Sequence, residues 1–170
     1  MLGQVLHRGR LQQVSAPPDL YARPSNTIVA GMVGSPPMNL WRGRVLPDAA
    51  GIELADPAHA TEVSPLRLHL SERQRALLNH GPGQEVLVGV RPEDIIVRPG
   101  EQGLPDDWRG QVQWREWLGN EMIARVAVGA RSFLVRLSAA QPWEAGAVLS
   151  VRLDPAKLHF FDPASGRRVE

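Results

Sequence analysis

Between Gln111 and Leu137 three short segments, Gln111 to Leu118, Glu121 to Val128 and Phe133 to Leu137, are punctuated by Gly119-Asn120 and by Gly129-Ala130. Two-residue breaks of this kind suit hairpin turns whose central residues adopt positive φ, so the three segments read as an antiparallel meander. Similar segments precede and follow it: Leu40 to Leu46, Gly51 to Ala55, Leu66 to Leu70, Glu85 to Val97 and Val148 to Leu153. Closely spaced strands with few helices predict a mainly β fold. Closure removes exposed sheet edges, which makes a small OB-like barrel the expected solution.

One helix interrupts the strands. Ser71-Glu72-Arg73-Gln74 fits a capping box, Ala76, Leu77 and Leu78 follow it, and Gly81-Pro82-Gly83 ends it. The first 34 residues have a different character. Val5 to Val14 reads as a hairpin around Arg8-Gly9, and Ser15 is the expected cap of a short helix carrying Pro17 and Pro18 in its first turn and ending at Pro24. Ser25 or Asn26 caps a second helix that presents Ile28, Val29, Met32 and Val33 until Gly34. Ser35-Pro36-Pro37 is then a stiff joint, because proline fixes its own φ and keeps the preceding residue out of the helical region. The expected division is a short α/β piece over residues 1–34 and a β domain over residues 35–170.

Composition narrows the function. No apolar run approaches the roughly 18 residues of a membrane span, and Met1 to Arg10 lacks the pattern of an export signal, so cytoplasm is the expected compartment. Cysteine is absent, which removes disulfides, thiolate nucleophiles and cysteine metal sites. The 19 basic and 18 acidic residues are interspersed, giving a net charge of +1 that attracts nucleic acid poorly.

No constellation of catalytic groups is evident. A P-loop requires a lysine after its glycines, and the sole lysine, Lys157, follows Ala156. His7, His59, His69, His80 and His159 are dispersed, and His59 with Glu62 lies in a proline-containing stretch that reads as loop, so no metal and no cofactor is assigned. Asp106-Asp107 and the pair Asp154 and Asp162 could be read as acid/base carboxylates, but turn chemistry explains them better, since Asp154 and Asp162 each precede proline. Trp41, Trp108, Trp114, Trp117 and Trp143 could form a base-stacking surface, yet without a basic groove core or interface packing is the better assignment.

Several phrases, in order along the chain, are similar to the ATP-binding subunits of maltose- and glycerol-phosphate-class ABC importers. They are Arg8-Gly9-Arg10-Leu11-Gln12-Gln13-Val14, Ala16-Pro17-Pro18-Asp19-Leu20-Tyr21 with Arg23-Pro24, Val29-Ala30-Gly31, and Gly34-Ser35-Pro36-Pro37-Met38-Asn39. A second group is Val88-Gly89-Val90-Arg91-Pro92-Glu93-Asp94-Ile95, Leu118-Gly119-Asn120-Glu121, and Leu153-Asp154-Pro155 through His159-Phe160-Phe161-Asp162 to Gly166-Arg167. This second group resembles the family's OB-like TOBE region.

The resemblance implies the end of a nucleotide-binding domain running into a regulatory, dimer-forming domain, with no catalytic residue in the chain. Complete members carry the Walker motifs and signature upstream, so Met1 is expected to begin either a truncated product or a cloned fragment. The implied partners are a second copy, the ATPase domain, the membrane subunits and a regulatory protein, at the inner face of the inner membrane. Arg91, Glu93 and Asp94 are candidates for an intersubunit or ligand-facing cluster, and Gly119 and Asn120 are further candidates for an interface or ligand-facing position. The plainer alternative makes Arg91-Pro92-Glu93 a strand end with a turn and local ion pair, and Gly119-Asn120 a hairpin turn. Two other readings stand: a free-standing TOBE sensor of small oxyanions, and an OB-type binder of single-stranded nucleic acid.

Overall fold

The computed structural model describes residues 1–48, 50–54, 66–78, 83–100, 107–141 and 143–169. His59, Glu62, His80 and Asp106 lie outside these residues.

The N-terminal piece begins with the expected hairpin, β1 (Gly3–His7) and β2 (Arg10–Ser15). Its turn residues Arg8 and Gly9 both have positive φ, 49° and 74°, the geometry that matches the twist of a tight antiparallel pair. Helix α1 (Pro17–Ala22) starts one residue later than Ser15 suggested. Its cap position is Ala16, with no side-chain bond to the free N–H groups, and prolines in the first turn lessen the need for one. Helix α2 (Thr27–Met32) is capped by Asn26, whose side chain accepts from the Val29 amide at 2.9 Å. Only Val29 and Ala30 of α2 are buried, while Met32 is exposed.

The β segments divide between two five-stranded antiparallel sheets. One follows the order β10-β9-β8-β11-β7: β10 (Arg131–Ser138), β9 (Glu121–Val128), β8 (Trp108–Trp117), β11 (Val148–Leu153) and β7 (Ile95–Pro99). The other follows β12-β6-β3-β4-β5: β12 (His159–Phe161), β6 (Glu85–Val90), β3 (Asn39–Val45), β4 (Gly51–Leu54) and β5 (Leu66–His69). Helix α3 (Glu72–Leu78) follows β5, and its capping box forms as expected: Ser71 N–H donates to Gln74 Oε1 at 2.9 Å and the Gln74 amide to Ser71 Oγ at 3.3 Å.

The expected single strand from Glu85 to Val97 is two strands in different sheets. Pro92 cannot donate to a ladder, and the chain makes a 3-10 turn over Pro92–Asp94 before continuing as β7. The turn therefore carries the chain from one sheet to the other.

A single apolar cluster joins the sheets, with Ile52, Leu54, Val86 and Val88 from one and Val126, Phe133, Val135 and Leu149 from the other, all fully buried. Polar links reinforce it. The Asn39 side chain in β3 donates to the Leu134 carbonyl and accepts from the Leu134 amide in β10, both at 2.8 Å, as a peptide group of a neighbouring strand would. Arg131 in β10 donates to the Leu54 carbonyl in β4. The fold is mainly β, as the sequence predicts.

Candidate functional site

Arg91 sits at the end of β6, immediately before the turn that links the sheets, and is 1% exposed. Its guanidinium reaches back to the N-terminal piece. Nη2 donates to the Tyr21 carbonyl at 2.8 Å, and Nη1 donates to the carbonyls of Ala30, at 3.3 Å, and of Val33. The cation also lies over the Tyr21 ring, 4.0 Å from its centroid. These carbonyls belong to α1 and the end of α2, where helical carbonyls lack an intrahelical donor and carry partial negative charge. Burial draws the Arg91 pKa down to about 10, against an opposing pull from Asp94, so the group remains a cation at neutral pH.

The neighbouring acids are placed differently. Glu93 is exposed and accepts the Tyr21 hydroxyl. Asp94 is half-buried; burial raises its pKa, opposed by Lys157 and reinforced by Glu93 and Asp154. The hydrogen bonds of Arg91 among the described residues go to backbone carbonyls. Gly119 and Asn120 stand at the exposed end of the β8–β9 hairpin, with Gly119 at φ 83°. They are preceded by exposed Leu118 and, on β8, by exposed Trp117 and Trp114.

The carboxylates considered in sequence resolve individually. Asp154 caps a 3-10 turn by accepting from the Ala156 amide at 2.9 Å, and Asp162 accepts from the Ser165 amide at 2.7 Å, both turn roles. Asp107 does more than shape a turn. Its carboxylate is 1% exposed and bridges Arg98 of β7, at 3.0 Å, and Arg152 of β11, at 2.5 Å. Among the described residues no group of three or more His, Asp or Glu side chains is arranged to hold a metal.

The tryptophans separate in the same way. Trp41 packs on Phe133 with centroids 4.4 Å apart, Trp108 lies 5.9 Å from the same ring, and Trp143 is buried. Trp114 and Trp117 are half exposed, at 49% and 51%. His159 is buried, and its Nδ1 lies 2.8 Å from Arg168 Nη1. Burial first, then the cations of Arg168, Arg91 and Lys157, lower its pKa to about 4.

A chain with two antiparallel sheets joined at an Arg-Pro-Glu turn is of the OB/TOBE class. Residues 34–95 match the MalK OB fold domain and residues 88–161 the TOBE domain. Together the two matches span residues 34–161. It is 38% identical over 165 residues to the sn-glycerol-3-phosphate import ATP-binding protein UgpC of Burkholderia pseudomallei (strain 1710b), covering 97% of this chain and 42% of that protein. It is 34% identical over 166 residues to UgpC of Yersinia pestis bv. Antiqua (strain Antiqua), covering 98% of this chain and again 42% of the relative. The chain thus spans less than half the length of these relatives. Among solved structures, the cytoplasmic molybdate-binding protein ModG with molybdate bound superposes with a TM-score of 0.56 at 16% identity, covering 74% of this chain and 96% of that one. That likeness is one of fold.

Tyr21 was the contributor that sequence reading passed over. Its signal was its place in Asp19-Leu20-Tyr21, where it reads as the apolar face of a short helix, while its carbonyl, ring and hydroxyl all engage the Arg91-Pro92-Glu93 turn.

Proposed function

We propose that this chain is the non-catalytic regulatory and dimer-forming region of an ABC importer ATP-binding subunit, with residues 1–34 the end of its nucleotide-binding domain and residues 35–170 its regulatory domain. The observation that carries the reading is the pair of adjoining matches, MalK OB fold and TOBE, over residues 34–161 in a chain homologous to importer subunits over almost its whole length.

The surface supports a role in assembly. Leu2, Leu6, Leu11, Val14 and Met32 are exposed on the N-terminal piece, which suits contact with an ATPase domain. Trp114, Trp117 and Leu118, next to Gly119 and Asn120, are exposed at the end of the β8–β9 hairpin, which suits pairing with another copy. The Arg91 contacts tie the two regions together, so a shift of an ATPase domain would be felt by the β domain. The location that follows is cytoplasmic, on the inner face of the membrane against the transporter's membrane subunits, and the cargo class suggested by the relatives is a glycerol-phosphate or sugar.

The test is twofold. The isolated chain should show no ATP turnover and no protection by ATP against thermal unfolding. Fused behind the ATPase domain of a related importer subunit, it should promote pairing of that domain. ATP turnover by the isolated chain, or a fusion that stays monomeric like the bare ATPase domain, would overturn the reading.

A further inference from the structure

A cavity of about 180 Å³ opens between the outer strand β5 and the start of β8. It is too small for a drug-sized ligand, whose sites begin near roughly 300 Å³. Its wall is apolar, with Leu153, Leu158 and the indole of Trp108, and its polar groups are Arg67, His69 and Arg152. Arg67 and His69 are two apart on β5 and share one face of the strand.

The described residues lining the cavity bring the cations Arg67 and Arg152 and no carboxylate. Arg67 pairs loosely with Glu53, at 3.6 Å, and both side chains are well exposed, so the pair is weak. Asp107 is shared between Arg98 and Arg152. Asp107 also fixes direction: it takes the Nε–H of Arg152 at 2.5 Å, and Arg152 lines the cavity. A guanidinium held from behind presents a planar fork suited to a carboxylate or phosphate.

We propose that this cavity binds a small organic anion, a carboxylate or phosphate ester whose apolar body lies against Trp108 and whose charged group meets Arg152 and Arg67. It is a ligand site additional to any role in pairing and does not depend on that role. A bare inorganic anion would use only the cationic side, and a neutral sugar only the indole and the carbon wall.

Phenyl phosphate is the probe, titrated into the full chain at low ionic strength and followed by tryptophan fluorescence and by the indole and His69 signals in NMR spectra. Saturable binding is expected, with the Trp108 and His69 signals moving together. Inorganic phosphate should bind about tenfold more weakly, since it lacks the apolar body, and benzyl alcohol should not saturate. Arg152→Lys keeps a cation beside Asp107 but loses the fork, and should weaken phenyl phosphate about tenfold. Should that variant fold poorly, Arg67→Gln, on an exposed strand edge, should weaken it about threefold without changing thermal stability. The proposal is overturned if phenyl phosphate fails to saturate below about 10 mM, if Arg67→Gln binds as the parent does, or if benzyl alcohol binds equally well.

Discussion

Arg91 lies over the ring of Tyr21 and donates to the carbonyl of the same residue, so one side chain holds another by its face and its backbone at once. The two residues are 70 positions apart, and the contact joins the N-terminal helices to the turn between the sheets. Arg91→Met should lower stability by about 2–4 kcal/mol in urea unfolding, because it removes the charged donor to the carbonyls of Tyr21, Ala30 and Val33, leaving Ala30 with the 3.5 Å bond from the Met38 amide. It should also speed proteolytic cleavage near Ser35-Pro36-Pro37. Tyr21→Phe removes only the hydroxyl bond to exposed Glu93 and should cost about 1 kcal/mol or less. Equal losses in the two variants would contradict the carbonyl-centred account.

His159 gives the fold a pH dependence. Its folded pKa, about 4, lies below the ordinary 6.5, so between those values the unfolded chain binds more protons than the folded one. Stability contributed by the neutral ring is therefore complete above pH 6.5 and is lost as pH falls toward 4, by about 3 kcal/mol in all. Denaturant unfolding at a series of pH values measures this. His159→Gln retains an acceptor for Arg168 and should flatten the curve in that window.

Gly110 is required by close packing. A Cβ there would stand 2.7 Å from Val126 Cγ1 and 2.9 Å from Leu149 Cδ1 and Val151 Cγ2, in the densest part of the first sheet. Gly110→Ala should cost about 1–3 kcal/mol by overpacking, read as a fall in Tm. Gly119→Ala meets no atom within 4 Å, but its φ of 83° is strained for any L side chain, and about 1–2 kcal/mol is expected.

Asp107→Asn tests the buried carboxylate shared by β7 and β11. Losing the charge leaves Arg98 and Arg152 without their common counter-ion, and a loss of about 3 kcal/mol is expected in urea unfolding. A loss below about 0.5 kcal/mol would show that solvent replaces the carboxylate at no cost.

What was legible in the sequence was local. Arg8-Gly9, Asn26, and Ser71 with Gln74 define turns and caps within a few residues of themselves, and each forms as written. The break at Arg91-Pro92 was visible as a turn, but its switch between sheets was not, since Val86 to Val97 is apolar enough to read as one strand. Strand β12 escaped because three residues after a 3-10 turn carry too little alternation to stand out. The partners of Arg91 lie 58 to 70 residues away, and the cavity draws on β5, β8, β11 and the turn beyond it, so neither arrangement leaves a motif in the chain.

The most direct test of the assembly role is sedimentation combined with light scattering on the purified chain over a concentration series. A discrete, concentration-dependent dimer is predicted, and Trp114→Ser with Trp117→Ser should return it to monomer without lowering Tm, as both side chains are half exposed. A clean monomer at the highest concentration, or a dimer indifferent to both substitutions, would contradict pairing through this hairpin.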